Sequence, residues 1–484
     1  MKRSKYRNIT QLHFVKNTIF VVPKIRPMFT FKDTLPAIPV LRFLYDNLNF
    51  CSPLGRKELL QSCYITNPIL LETCMAEIEK TLIWQEVASD NLPKIKQLLS
   101  SVQDILPTIS RLSNHESLDD IELFEIKKNA LIMHDLNKIL IETSFEIFTL
   151  HEVSEVIAVL DPEKTLIPHF YIYSSYSKEL TALRSKRERE VSQEEKEDLL
   201  WQISKLENKI RQNLVKKLTP FVSILEQNLK YIAQLDLWLA KAALALEWNC
   251  CKPEISEESV SYVGLFHPVV SLRLKKENIA FQPIDIEVKQ EPCLITGANM
   301  TGKSIFLRAI AFSQWMFQFG FYVPAQKASI VPVEKIYFVS GDGDTEQTGL
   351  SSFVSEIFQI HQILQEVKED KKILVLVDEF ARTTNPKEGN ALVAAFLEML
   401  NHRKTIGLVT THYSNIEGDF RRLRVKGIRW DRIEHIKTHP HDLNKYIDYQ
   451  LEDCNEKTAP EEAVKIAEIL AVDDAFISLV KKYL

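Results

Sequence analysis

Gly297-Ala298-Asn299-Met300-Thr301-Gly302-Lys303-Ser304 fits the pattern G-x-x-x-x-G-K-[ST]. The apolar run Cys293-Leu294-Ile295-Thr296 precedes it, and a helix-forming segment follows. A strand, a glycine-bounded loop and a helix in that order form a phosphate cradle. Backbone N–H groups of the loop converge on anionic oxygens at a helix N-terminus. The pattern predicts that residues 297–304 bind the phosphates of ATP. Lys303 is expected to reach the β- and γ-phosphates, and the Ser304 hydroxyl to ligate Mg²⁺.

The next element lies 75 positions beyond Lys303. The run Ile373-Leu374-Val375-Leu376-Val377 ends in Asp378-Glu379. A carboxylate pair at the C-terminal end of a parallel strand faces the crevice where ligands bind in open α/β sheets. Asp378 is expected to hold the Mg²⁺ shell, and Glu379 to polarise the attacking water as general base. A third apolar run, Ile406 to Val409, leads into Thr410-Thr411-His412. His412 at that strand end is a candidate γ-phosphate sensor. Gly349-Leu350-Ser351-Ser352-Phe353-Val354-Ser355-Glu356 reads by itself as a loop and helix cap, with no chemistry in the pattern alone.

Glycine placement divides the rest of the chain. Eleven of the 12 glycines lie between Gly264 and Gly427, and only Gly55 precedes them. Tight turns and phosphate loops need glycine, so the first half reads as long helices. Leu199, Ile203, Leu206, Ile210 and Leu214 form a coiled-coil-like seam. Pro220 interrupts it, and Leu225, Leu229, Ile232, Leu235, Leu239, Ala242 and Leu246 continue on a second helix. The charge run from Lys186 to Asp198 reads as a solvated helix face or hairpin tip. The expected fold is multidomain: an all-α lever/core domain, then an α/β P-loop ATPase domain with a mostly parallel sheet and a helical C-terminal tail. The expected boundaries are a basic arm over 1–35, a helical core and lever over 36–250, the ATPase over 251–440 and a C-terminal helical dimerisation segment over 441–484.

Bulk composition adds exclusions. The chain has 484 residues, 60 basic against 65 acidic, so it is no general polyanion trap. Its one basic bias is Lys2, Arg3, Lys5, Arg7, Lys16, Lys24 and Arg26, all before the first acid, Asp33. Seven scattered cysteines without a C-x-x-C pair fit a reducing compartment and disfavour a thiolate metal site. No apolar run reaches 18 residues, so no membrane span is expected and a cytoplasmic location is.

Taken in order, the loop, Tyr322-Val323-Pro324-Ala325-Gln326, Ser351-x-Phe353-x-x-Glu356, Asp378-Glu379 and Thr411-His412-Tyr413 resemble the MutS family. Ser52-Pro53-Leu54-Gly55 with Leu59-Leu60, Leu235-Asp236 to Leu246, and His267-Pro268-Val269-Val270 extend the likeness upstream. The resemblance implies a composite ATP site in a homodimer, or in a heterodimer with a related MutS-like subunit. In it Ser351 would approach the γ-phosphate bound by the partner subunit, and Phe281 would give an apolar contact to the adenine. Thr301 and Ala298 depart from the usual loop residues, and Ala381 and Thr383 replace glycines after Asp378-Glu379. No counterpart is expected for the family's mismatch-reading domain, for its β-rich DNA clamp between Asp161 and Thr219, or for a nuclease-like C-terminal domain.

The remaining pattern is similar to MutS-like ATPases that reactivate cobalamin-dependent aminomutases of the lysine 5,6-aminomutase type. Phe170-Tyr171-Ile172-Tyr173-Ser174-Ser175-Tyr176-Ser177 and Asp378 to Pro386 carry that likeness. It implies a protein client rather than DNA. The competing expectation is a DNA-binding ATPase of mismatch repair or recombination type, supported by the basic arm. A third is a nucleotide-gated scaffold without useful turnover, against which Glu379 speaks.

Overall fold

The structure is a computed structural model. It describes residues 29–189, 192–297, 301–340, 352–430, 446–454, 463–470 and 472–483, and a two-residue strand pair, Phe14–Val15 with Thr18–Ile19. Ala298, Asn299, Met300, Ser351 and most of the basic arm lie outside the described residues.

Among the described residues, 36–250 contain helices and no strand. The main ones are α1 (Pro53–Gln61), α2 (Pro68–Val87), α3 (Asp120–Glu142), α4 (Gln193–Leu218) and α5 (Val222–Trp248). The heptad-like spacing has the expected consequence on α4. Leu199, Ile203, Ile210 and Leu214 are buried, while Lys205 and Lys209 between them face solvent and Glu207 and Arg211 are half-buried in ion pairs with Arg184 and Asp120. Pro220 sits in a short 3₁₀ turn, Thr219–Phe221, from which α5 starts. Leu225 to Ala242 of the second seam are buried, but Leu246 is exposed. Its end of α5 turns toward the nucleotide half, where the core uses Ala245 and Trp248 instead.

One carboxylate ties α5 to α1. The buried Asp236 accepts hydrogen bonds from the Cys51 and Ser52 N–H groups and from the Ser52 hydroxyl, at 2.7–2.9 Å. A Cβ on Gly55 would lie 2.4 Å from Asp236 Oδ2. Gly55, the one glycine before Gly264, is therefore where the α1 backbone must come against that carboxylate.

The second half holds two sheets. Strands β1 (Glu254–Ile255), β2 (Ser259–Leu265), β3 (Ile284–Lys289) and β5 (Lys327–Ile330) form a small sheet in the order β1-β5-β2-β3. The larger sheet has β4 (Pro292–Thr296), β6 (Lys335–Ser340), β7 (Ile373–Asp378), β8 (Ile406–Thr410), β9 (Arg421–Ile428) and β10 (Ile447–Asp453). Its order is β10-β9-β4-β8-β7-β6. Every pairing is parallel except β9 with β10 at the edge. The expected mostly parallel sheet is present.

Side-chain alternation explains why these strands are apolar throughout. Cys293, Ile295, Leu374, Leu376 and Leu408 face one core, while Leu294, Val375, Val377 and Val409 face another. Helix α6 (Lys303–Gln318) covers the first face. Helices α7 (Ser352–Lys368) and α8 (Pro386–His402) cover the second.

Two expected boundaries move. Residues 447–453 were assigned to the helical C-terminal segment, yet they form β10 and complete the sheet. The misleading feature is their polar composition: an antiparallel edge strand is half solvated, so its apolar run is broken. Helices follow only over Ala463–Ile469 and as α9 (Asp474–Tyr483). Residues 29–35 were assigned to the arm, but Phe31 is fully buried with its ring 4.9 Å from that of Phe319. One hydrophobic core runs from Phe31, Leu41 and Met75 through Trp248 into Phe306, Ile310 and Phe317. The helical and nucleotide halves thus share a core at their junction. Among the described residues no helix is long and apolar enough to cross a membrane.

Candidate nucleotide site

Three parallel neighbours, β4, β8 and β7, end side by side. Thr410 is in register with Ile295, and Val409 with Val377. The residues just beyond these ends therefore meet: Gly297 after β4, His412 after β8, and Asp378-Glu379 closing β7. A cleft of about 560 Å³ lies there, lined by Thr301, Gly302, Lys303, Ser304, Ile305, Glu379, Arg382 and His412. It falls in the roughly 300–1,000 Å³ range of small-molecule sites.

Lys303 opens α6, and Gly302 is its N-cap. The Lys303 ammonium donates to the Gly297 carbonyl at 2.8 Å, so it arches back across its own loop. Burial holds its pKa below the usual lysine range, opposed by the negative charges of Glu379 and Asp378. Those carboxylates are therefore near enough to be felt electrostatically. Desolvation likewise lowers the pKa of His412; Glu379 raises it, and Lys303 and Arg382 lower it. A neutral imidazole beside a lysine and an arginine can donate one hydrogen bond to a phosphate oxygen without adding charge.

Asp378 is buried and accepts a 2.8 Å hydrogen bond from the Thr410 hydroxyl. The same hydroxyl accepts the Glu379 N–H at 2.9 Å. Thr410 thus fixes both acidic residues through one oxygen. Glu379 has φ 54° and Ala381 φ 60°, so the chain turns sharply out of β7 in the left-handed region. This turn brings Glu379 to the cleft wall, where Arg382 Nη1 donates to its Oε2 at 2.8 Å.

Of the expected site residues, Thr301, Gly302, Lys303, Ser304, Glu379 and His412 line one cleft, and Asp378 lies at the adjoining strand end. Gly297 contributes its carbonyl. Ser351, Ala298, Asn299 and Met300 are outside the described residues. Phe281 is half-buried and is not among the residues lining the cleft. Its neighbour Gln282 hydrogen-bonds Asp448 and the Tyr449 N–H on β10. A Cβ on Gly302 would lie 3.0 Å from the Tyr449 ring.

No site role follows from the sequence for Thr410, Arg382 or Tyr449, and Glu356 reads there only as part of a loop and helix cap. Thr410 carried a signal, as a hydroxyl at the end of a buried run. Tyr449 carried none, because only the sheet edge brings β10 beside a loop far away in sequence. No group of three or more His, Cys, Asp or Glu able to hold a metal occurs among the described residues. Ser304 and Asp378 nonetheless offer the hard oxygen donors that Mg²⁺ takes. That ion binds phosphates through one or two protein oxygens and keeps several waters.

Residues 293–480 match the family model of MutS domain V. These residues contain the loop, the acidic pair and His412. The match supports membership in the MutS family. The chain is 35% identical over 189 residues to the DNA mismatch repair protein MutS of Thermus thermophilus, covering 39% of this chain and 22% of that protein. It is 37% identical over 194 residues to endonuclease MutS2 of Thermomicrobium roseum, covering 38% and 24%. A MutS2 endonuclease from Acetivibrio thermocellus gives 32% over 213 residues, covering 43% and 26%. The chain thus spans about a quarter of the length of the curated relatives it matches. MutS-family proteins as a group are ATPases that use ATP and Mg²⁺ and generally act as dimers.

Proposed function

We propose that this chain hydrolyses ATP to ADP and phosphate at the cleft between α6 and the ends of β7 and β8. The observation that carries this reading is the convergence of Lys303, Ser304, Glu379 and His412 on that cleft. In it the loop over 297–304 and the N-terminus of α6 bind the phosphates. Lys303 leaves the Gly297 carbonyl to engage the β- and γ-phosphates. Ser304 and Asp378 would hold Mg²⁺, which would supply positive charge beside the phosphate oxygens. Glu379 orients and deprotonates the attacking water after parting from Arg382, and His412 donates to the γ-phosphate. Ser351 completes the site of a partner subunit in a homodimer or a heterodimer with a related subunit.

The work done with this turnover is movement of the helical half, which shares a core with α6. We read the client as a protein, a cobalamin-dependent aminomutase reactivated by exchange of its damaged cofactor. Its support is the resemblance carried by residues 170–177 and 378–386. A further support is that, among the described residues, the span from Asp161 to Thr219 consists of turns and helices with no strand from which to build a β-rich clamp. The competing reading is a DNA-binding ATPase, favoured by relatives named for mismatch repair and by the basic residues before Asp33.

The deciding experiment measures ATP turnover by purified protein with plasmid DNA, heteroduplex DNA or an inactivated aminomutase added in turn. Stimulation by the mutase alone, with recovery of its activity, is the expected result. Stimulation by DNA that weakens with rising salt would replace the client reading, because phosphate neutralisation dominates nucleic-acid affinity. Absence of ATP turnover under every condition would remove the ATPase reading itself.

A further inference from the structure

Behind the turn that carries Glu379 lies a carboxyl group that the proposed reaction does not use. Glu356, on α7, is 5% exposed, and its Oε1 accepts the Ala381 N–H at 3.2 Å. On the other side of the same residue, the Tyr413 hydroxyl donates to the Ala381 carbonyl at 2.6 Å. Both polar groups of one peptide residue are thus held by side chains from two different elements. One side chain follows β8 directly after His412, and the other stands on the helix that begins one residue after Ser351 in sequence.

Ala381 needs such holding. It is fully buried with φ 60°, a left-handed conformation that costs a residue with a Cβ on the order of 1 kcal/mol or more. Glu379, two residues earlier, also has a positive φ. The Glu379 N–H is anchored on the Thr410 hydroxyl, and its carbonyl accepts the Arg382 N–H within the turn. Without the clamp on Ala381, relaxation of the turn would swing Glu379 along the cleft wall. Glu356 itself bears a cost for its place, since burial raises its pKa to about 6 against the opposing Ala381 N–H. A buried acid at the edge of a reaction site, with no access to the reacting atoms, is informative for that reason.

We propose that Glu356 is a positioning residue for ATP turnover, fixing the backbone of Ala381 so that the strained turn presents Glu379 to the cleft. This rests on the ATPase reading. It also gives the Ser-x-Phe-x-x-Glu segment a role within its own subunit, separate from the action in trans assigned to Ser351.

The test compares steady-state ATPase kinetics and nucleotide affinity for E356A, E356Q and the double variant E356A/A381G. A misplacement of about 1 Å in a catalytic group costs up to ~100-fold in rate. E356A is expected to lower kcat by ~10- to 100-fold, with KM and nucleotide Kd within about twofold. E356Q keeps an acceptor oxygen for the Ala381 N–H and is expected to retain most of kcat. Glycine adopts the left-handed turn unaided, so A381G is expected to restore most of what E356A loses. A Glu356 that only supported folding would lower stability without a kcat-selective loss that A381G restores. Should E356A not fold, Y413F removes the other hydrogen bond to Ala381 and is expected to show the same kcat loss and the same rescue. Unchanged kcat in E356A, or a loss that neither glutamine nor A381G restores, overturns the proposal. Turnover that needs Glu379 yet ignores Glu356 ends this proposal alone. Wild-type protein with no turnover, or turnover untouched by E379Q, ends the ATPase reading and this proposal with it.

Discussion

At its first residue, helix α6 carries Lys303 at the edge of an open cleft beside Glu379, His412 and Arg382. At its last, Gln318 is fully buried and every polar atom of its side chain is engaged. Its Nε2 donates to the Ile65 and Val333 carbonyls at 3.1 and 2.6 Å, and its Oε1 accepts from Tyr64 and Gln314 at 2.7 and 2.8 Å. Just beyond it, the ammonium of Lys241 on α5 donates to the carbonyls of Phe319 and Gly320 at 2.8 and 3.0 Å. A cation on the last carbonyls of a helix satisfies groups that have no partner within it and meets the negative end of its dipole. One end of α6 is therefore arranged to exchange partners with a ligand, and the other is locked to the helical half. Under the proposed function, a rigid helix with one adaptable and one fixed end would pass displacement from the cleft to α5. A helix loose at both ends would dissipate it.

The strongest way to break this contrast is to disable the adaptable end. K303A is expected to abolish nucleotide binding, read by calorimetric titration with ATP and Mg²⁺, while leaving the melting temperature of the free protein nearly unchanged. E379Q is expected to bind ATP normally and lose turnover by ~100-fold or more, the range ascribed to general-base catalysis. If E379Q turns over like wild type, the water-activating role passes to another group. If K303A unfolds the protein, the phosphate loop is part of the structural core rather than an adaptable end.

The two ends were unequally legible in the sequence. That Lys303, Asp378 and Glu379 come together at neighbouring strand ends could be read because their patterns constrain residue type and spacing within short segments, each at the end of an apolar run. The parallel sheet followed from those same runs, and α4 and α5 from the spacing of Leu and Ile. The locked end could not be read. Tyr64, Lys241, Gln318 and Val333 lie in four separate segments, and each looks ordinary in its own. A buried lysine in α5 interrupts an apolar face and resembles a solvated position until the partner carbonyls are brought to it. Glu356 was similar: its segment, residues 349–356, reads as a loop and helix cap, whereas its carboxylate faces Ala381. Strand β10 was missed because an edge strand has no continuous apolar signature. Side chains that act on a distant backbone leave no periodicity in their own neighbourhood.

Disabling the fixed end is the next largest effect, and it should fall on stability rather than chemistry. Q318L would strand the Ile65 carbonyl and the Val333 N–H, while the Tyr64 hydroxyl keeps the Val333 carbonyl at 3.1 Å. Each stranded group costs about 1–3 kcal/mol, so a loss of about 2–4 kcal/mol is expected, read from urea denaturation midpoints. Nucleotide affinity of the protein that remains folded should change little. G320A tests the same junction through the backbone. Gly320 has φ +69°, and a Cβ there would lie 2.9 Å from Cys74 Cβ on α2. A left-handed alanine pressed against a packed helix is expected to cost about 2–3 kcal/mol. Equal stability of G320A and wild type would show that α2 and the end of α6 are not in fixed contact.

The smallest expected effect concerns charge at the locked end and depends on pH. Burial raises the Glu77 pKa from 4.5 to about 7, against the lowering influence of Lys241, the Trp238 side chain and Lys80. Burial lowers that of Lys241, which Glu77 helps to keep charged. Because the folded protein binds the Glu77 proton more tightly than the unfolded chain, folding is favoured by low pH at this group. Its contribution should decline as pH rises from about 4.5 to about 7 and then level off. A glutamine cannot ionise, so E77Q should track wild type near pH 5 and become the more stable of the two above pH 7. The gain should be about 1–2 kcal/mol, less than the pKa shift alone implies, because Glu77 is only half-buried and solvent screens its charge. The difference between the two denaturation midpoints at pH 5, 6, 7 and 8 isolates this group from all others that titrate. A difference that is flat across the series would mean that Glu77 is ionised and well solvated throughout. The junction would then be held by the Lys241 and Gln318 hydrogen bonds without help from a buried charge pair. A difference of the opposite sign, with E77Q weaker above pH 7, would make the Glu77 carboxylate a net support for Lys241 and the fixed end of α6 an ionic joint.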